Sequence, residues 1–270
     1  MMRKILLYTA LTLGALPMVY PFVWMLATSL KGLQEATTPT LSLLPEQWLW
    51  RNYLDALRAA PFGRYFFNTF FVASVTTAFV MVTSTLAGYV FARLQFRGRG
   101  LLFGLVLATM MIPFEATLIP NFVLVSRLGW YNSYAALILP WCANAFSIFL
   151  MRQAFLGLPA DYFNAARIDG CGHLRYLAYV GVPLVVPMLT TVGLFAFLAS
   201  YNSLLWPLVV TGDDSMRVVQ VGLTVFAGDQ GVRVNLLMCA SLIVMLPTVA
   251  LYFMAQRHFV EGITGSGIKS

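Results

Sequence analysis

Few residues in this 270-residue chain could do covalent chemistry. The two histidines, His173 and His258, are far apart, which argues against a histidine-based zinc site. Cys142, Cys171 and Cys239 are odd in number and show no CxxC spacing; two of them lie in apolar runs, where a thiol acts as a small hydrophobe. The ending Gly265-Ser266-Gly267-Ile268-Lys269-Ser270 resembles a phosphate-binding loop, but Ile268 separates glycine from lysine and the segment is a tail. These residues predict no catalytic set and no metal site. What remains is recognition. Glu115, Asn121, Asn144, Tyr201, Asn202 and Trp206 interrupt apolar runs, and Asn68 stands near the end of another. Polar groups inside such runs usually face a cavity. Amides and carboxylates can bond hydroxyls while aromatic faces cover apolar ring faces, a combination suited to a polyhydroxylated solute. Tyr201-Asn202 with Trp206 is the densest cluster. Hydrogen bonding between helices is the equally weighted alternative for each residue.

The surroundings of these residues set their class. The chain is 60% hydrophobic and 10% charged, with a mean hydropathy of +0.79. A soluble domain is about half apolar and a quarter charged. A soluble core of this size could not hide so much apolar surface, so lipid must cover the rest. An all-α integral membrane protein is expected, organised as one transmembrane domain over 1–270.

Crossing the hydrocarbon as helix takes about 20 apolar residues. Six runs qualify: 6–30, 66–91, 101–125, 135–151, 181–210 and 234–255. The first follows Arg3-Lys4 and is too long for a signal sequence, so it reads as an uncleaved span. Prolines 113 and 120 in the third run, and 183, 187 and 207 in the fifth, predict kinks or broken ends. The region 113–140 is ambiguous and allows a count of five or seven. With a cytoplasmic N-terminus, the inner segments hold ten basic and three acidic residues, against seven and seven elsewhere. The whole formal excess of +7 then faces the cytoplasm, as the positive-inside rule requires. That bias accounts for the charge without a nucleic-acid partner, and it places both termini inside. In the outer segment 31–65, Trp48, Trp50 and Tyr53 read as interfacial anchors.

The longest inner segment, 152–180, contains "LPADYFNAARIDG". Pro159 suits a first helical turn, and Asp161 favours the positive end of the helix dipole. Tyr162, Ala165, Ala166 and Asp169 are spaced to share one side, with Phe163 and Arg167 on a neighbouring one. Ile168 reads as buried, and Gly170 as the stop. The small alanines permit close approach by another surface. A second short amphipathic piece, His173 to Val180, leads into Pro183 and the fifth run. A helix lying on the membrane surface is the plainer alternative.

This segment resembles the signature loop of permease subunits of bacterial ATP-binding-cassette importers. That pattern is Glu-Ala-Ala, three residues, Gly, nine residues, Ile-x-Leu-Pro. Here it reads Asn164-Ala165-Ala166, three residues, Gly170, nine residues, Val180-Gly181-Val182-Pro183. "FARLQFRGRG", "NSYAALILP", "YNSLLWPLVV" and the C-terminal stretch look like the carbohydrate-uptake branch, whose members import maltose, glycerol-3-phosphate or amino sugars. The resemblance implies six spans with a cytoplasmic coupling helix between the fourth and fifth. It implies docking on an ATPase through Asp161, Asn164, Ala165, Ala166, Arg167, Asp169 and Gly170, with Pro183 passing motion to the fifth span. Its implied partners are a homologous second permease, two ATPase copies that bind ATP and magnesium, and an extracytoplasmic solute-binding protein. This chain itself is then a non-catalytic subunit of the bacterial cell membrane, without a cofactor. The departure is Asn164 in place of the usual Glu. A sugar or sugar derivative is the expected solute, with glycerol-3-phosphate or a phosphodiester as the alternative. A self-contained carrier is the rival class. It predicts internal repeats and an intramembrane acid pair, of which the sequence gives little sign.

Overall fold

The computed structural model describes residues 2–38, 42–228 and 231–264. The C-terminal tail from 265, including Lys269 and the glycine-lysine stretch, lies outside the described residues. In chain order the helices are α1 (Met2–Ser29), α2 (Leu33–Thr37), α3 (Arg51–Arg58), α4 (Phe62–Arg93), α5 (Arg99–Thr109), α6 (Phe114–Arg127) and α7 (Tyr134–Ile138). They continue with α8 (Ala145–Gly157), α9 (Ala160–Ile168), α10 (His173–Tyr176), α11 (Val182–Tyr201), α12 (Leu205–Val210), α13 (Val219–Leu223) and α14 (Val234–Thr264). The departure from all-α among the described residues is a two-residue antiparallel ladder, Ala227 opposite Val232 and Gly228 opposite Gly231.

Four stretches are long and apolar enough to cross a membrane: Leu6–Ser29, Phe62–Arg93, His173–Tyr201 and Val234–Met254. Two bent pairs also qualify, α5 with α6 at 96° and Tyr134–Trp141 with α8 at 42°. The chain is thus a multi-pass membrane protein with four to six candidate spans. The break between α5 and α6 has a local cause. Pro113 disfavours helix at the residue before it, and it stands in extended geometry ahead of α6. The fourth run, expected as one helix over 135–151, is two pieces, Tyr134–Trp141 and α8, separated at residues 142–144. The freed carbonyl of Cys142 accepts from the Thr83 hydroxyl at 2.8 Å. The fifth run begins earlier than expected. A π-helical turn at Leu177–Gly181 joins α10 to α11, making one helix from His173 to Tyr201. The wider turn absorbs the hydrogen bond that Pro183 cannot make. The helix ends at Asn202, and α12 resumes after Ser203-Leu204.

The chain forms two compact units, 1–63 with 219–249, and 64–218 with 250–270. In the first, the end of α1 leaves carbonyls without helical partners. Asn52 Nδ2 donates to the carbonyls of Ser29 at 2.8 Å and Lys31 at 2.9 Å. Asn235 also donates to Lys31, and the Cys239 thiol to Ser29. Lys31 is buried; its ammonium bonds the Ser42 carbonyl and lies 5.4 Å from the Trp24 ring centre. Trp48, Trp50 and Tyr53 form a run of near-parallel rings, centres 6.4 Å apart at each step. The second unit is built on a core of Val80, Tyr89, Met151, Phe155, Tyr176, Leu177, Val185 and Val192. It draws α4, α8 and the His173–Tyr201 helix together.

Candidate functional site

Two features of the second unit could do recognition. The first is α9 and the turn after it. Pro159 is the residue before the helix, in extended geometry, rather than part of its first turn. Asp161 lies in that turn. Phe163 and Ala166, one turn apart, face inward and pack on the core. The Phe163 ring meets Tyr176 edge-on at 5.1 Å and stacks on His173 at 5.9 Å. So Ala166 does not share a side with Ala165: it supports the helix from below, and Ala165 is exposed. Ile168, expected to be buried, is 86% exposed. Phe163 and Ala166 occupy the inward stripe, and Ile168 falls outside it. The outward surface therefore carries Asp161, Tyr162, Asn164, Ala165, Arg167, Ile168 and Asp169.

The helix ends in two nested bonds. Cys171 N–H donates to Ala166 at 2.9 Å, and Gly170 N–H to Arg167 at 3.1 Å. Gly170 sits at φ +73°, the left-handed conformation this cap needs and glycine adopts without steric cost. The ends of the segment are tied down. Arg93 Nη2 donates to the Leu158 carbonyl at 2.6 Å. Tyr89 Oη and His173 Nδ1 lie 2.8 Å apart. Pro183 lies beyond the π turn, in the first turn of α11.

The second feature is a cavity of about 470 Å³. Its walls come from α4 (Thr69, Val72, Thr76, Val80), the bent fourth run (Leu137, Trp141, Asn144, Phe146, Ser147) and α11 with α12 (Phe195, Ala196, Ala199, Ser200, Ser203, Trp206, Pro207). Phe114 and Val218 complete it. Two of the six expected pathway residues, Asn144 and Trp206, line it. Asn144 also caps α8, accepting from Ser147 N–H at 2.9 Å. Trp206 is buried, its indole N–H donating to the Ala136 carbonyl at 2.9 Å, so it offers the cavity carbon surface. The other four lie elsewhere. Tyr201 is buried against Phe70 and Phe197. Asn202 follows the end of α11, donating to Leu198. Glu115 stands exposed in the first turn of α6, where the helix dipole favours a carboxylate. Asn121 is half-buried on the same helix.

Reading polar residues along the runs missed the hydroxyls. Thr69, Val72, Thr76 and Val80 form a stripe at helical spacing, a signal present in the sequence. Thr76 is 3% exposed, and its hydroxyl has no hydrogen-bond partner. An unmet buried hydroxyl costs about 1–3 kcal/mol. At one end of this unit, Asn68 Nδ2 donates to the carbonyls of Ser215 and Arg217. Tyr134 donates to Asn68 at 2.7 Å and Tyr65 to Asp214 at 2.6 Å. Asn132, at φ +56°, donates to Asp213 at 2.8 Å and accepts from Gly212 N–H. Ser215, through its hydroxyl and then its N–H, with Asn132, holds the Asp213 carboxyl below the usual range.

Known proteins resemble the chain over nearly its whole length. It is 32% identical to the sn-glycerol-3-phosphate transport system permease protein UgpE of Yersinia enterocolitica, over 96% of this chain and 95% of that one. It is 32% identical to the arabinooligosaccharides transport system permease protein AraQ of Halalkalibacterium halodurans, over 93% and 91%. The sulfoquinovosyl glycerol transport system permease protein SmoH of Agrobacterium fabrum is 31% identical over 93% and 89%. The fold matches a chain of a bacterial ABC transporter importing the acidic polysaccharide alginate, with a TM-score of 0.82 and 23% identity over 95% and 96%. A model of binding-protein-dependent transport system inner membrane components matches residues 84–264. That span takes in the end of α4, the α9 turn with its glycine stop, and most of the cavity wall. The chain belongs to this family of binding-protein-dependent transport system inner membrane components.

Proposed function

We propose that the chain is a six-span permease subunit forming half of the solute pathway of an ATP-driven importer. Each bent helix pair counts as one span, and both termini are cytoplasmic. It assembles with a homologous second permease, two ATPase copies and an extracytoplasmic solute-binding protein. ATP and magnesium are bound by the ATPase, and this chain has no catalytic residues. The α9 surface from Asp161 to Gly170 docks on the ATPase. The 470 Å³ cavity is this subunit's share of the pathway, and a sugar or sugar derivative passes through it. The single observation that carries the reading is α9 itself. A polar helix presents Tyr162, Ala165 and Ile168 outward while Phe163, Ala166 and the Tyr89–His173 contact anchor it to the core of the spans. A helix merely resting on lipid would gain little from a glycine stop at positive φ.

Co-expression with a candidate ATPase, followed by purification through a tag on this chain, tests the proposal. The ATPase is expected to co-purify, and vesicles are expected to take up solute only with ATP present. Solute flux with no ATPase would overturn it in favour of a self-contained carrier.

A further inference from the structure

We infer that the cavity admits uncharged, hydroxyl-rich solutes and turns away anionic ones. The inference rests on the importer reading above and narrows its solute class. Among the described residues, no Lys, Arg, His, Asp or Glu lines the cavity. A phosphate, sulfonate or uronate entering it would shed water without meeting a cation on this subunit's wall, and an unpaired charge in such surroundings is the most costly group to bury. Two charged residues adjoin lining residues in sequence, Glu115 beside Phe114 and Arg217 beside Val218; Arg217 is paired with Asp214 at 2.9 Å, and neither side chain lines the cavity. The walls instead offer hydroxyl and amide groups, from Asn144, Ser200 and Ser203. They alternate with aromatic surface: Trp141 lies 5.4 Å from Phe114 and 5.9 Å from Trp206, centre to centre. A sugar ring presents the matching surface, hydroxyls around its edge and C–H groups on its faces. Ser200 gives the pairing a direction. It lines the cavity from α11 and is half-buried, and a serine hydroxyl can both donate to and accept from a solute hydroxyl. The volume lies at the lower end of small-molecule sites, roughly 300–1,000 Å³, and so suits a short saccharide.

The test uses the whole complex in proteoliposomes with its own binding protein. ATP-dependent uptake is measured for two neutral probes, arabinotriose and maltotriose, and two anionic ones, glycerol-3-phosphate and trigalacturonate. At least one neutral probe is expected to be taken up at least tenfold faster than either anion. Faster uptake of an anion by the unaltered complex overturns the inference and leaves the importer reading standing. ATP-independent uptake, or none of any probe, sinks the importer reading, and this inference with it. Ser200→Ala is expected to raise the KM for the neutral solute roughly fivefold, the weight of one hydrogen bond, with a smaller change in maximal rate. An unchanged KM overturns the role given to Ser200. Asn144→Lys places a cation at the wall and is expected to shift the uptake ratio towards glycerol-3-phosphate; an unmoved ratio also counts against the inference.

Discussion

Gly88 on α4 lies so close to α8 that a Cβ built on it would stand 2.7 Å from Met151 Cβ and 2.8 Å from Arg152 N. Backbone atoms cannot swing aside as a side-chain tip can. Gly88→Ala would gain up to about 1 kcal/mol of helix propensity. Forced separation of two packed helices typically costs about 1–3 kcal/mol, so the clash wins. The variant is expected to unfold several degrees lower in detergent, read by thermal aggregation. An unchanged midpoint would mean that α4 and α8 approach less closely than this.

Gly170→Ala tests the turn after α9. A side chain at φ +73° costs about 1–2 kcal/mol, concentrated where α9 stops. We expect an inserted, folded protein whose ATP hydrolysis is partly uncoupled from uptake. The check is the number of solutes moved per ATP hydrolysed. A normal ratio would show that this turn does not transmit force.

Asn164→Glu restores the residue usual at this place in the permease signature. Position 164 is exposed, so a carboxylate there loses little solvation. A charged hydrogen bond is roughly twice as strong as a neutral one. Assembly and transport are expected to persist, with ATPase attachment becoming more sensitive to salt. Loss of co-purification in the variant would contradict docking through this surface.

The 211–217 loop should respond to acid. Asp213 is held below the ordinary carboxylate value by Ser215 and Asn132. A group depressed on folding stabilises the folded loop above its unfolded value, near 3.9. That contribution fades as pH falls through the lower, folded value. The protection of the Gly212 and Ser215 amides, measured against their intrinsic exchange rate at each pH, is expected to hold at pH 7 and to fall only below about pH 4. Asn132→Ala should move the onset to higher pH. Identical onsets in the two proteins would refute the link.

Local features were legible and relations between distant segments were not. Gly170 and the break at Pro113 could be read directly, because each depends on a backbone preference of a few adjacent residues. Ile168 could not. Which stripe of α9 faces inward is decided by Tyr176 and His173, which lie beyond the turn. Tyr201, Asn202 and Trp206 look like one cluster on paper. In three dimensions helical rotation and the break at Ser203-Leu204 send Tyr201 to an aromatic packing site, Asn202 to a helix end and Trp206 to the cavity. Thr69 and Thr76 were overlooked because a hydroxyl in an apolar helix commonly bonds its own preceding turn. Thr69 does so, to the Tyr65 carbonyl; Thr76 does not.

The continuous helix from His173 to Tyr201 makes one lever of two sites. His173 at one end touches Tyr89 and the α9 turn; Ser200 at the other forms part of the cavity wall. Their separation of 27 residues is about 40 Å at the helical rise. Each degree of tilt about one end then moves the other by roughly 0.7 Å over that length. In the proposed complex, a small displacement at the α9 end would therefore widen or narrow the solute's room within a few degrees, through a helix whose π turn at Leu177–Gly181 lies close to the driven end.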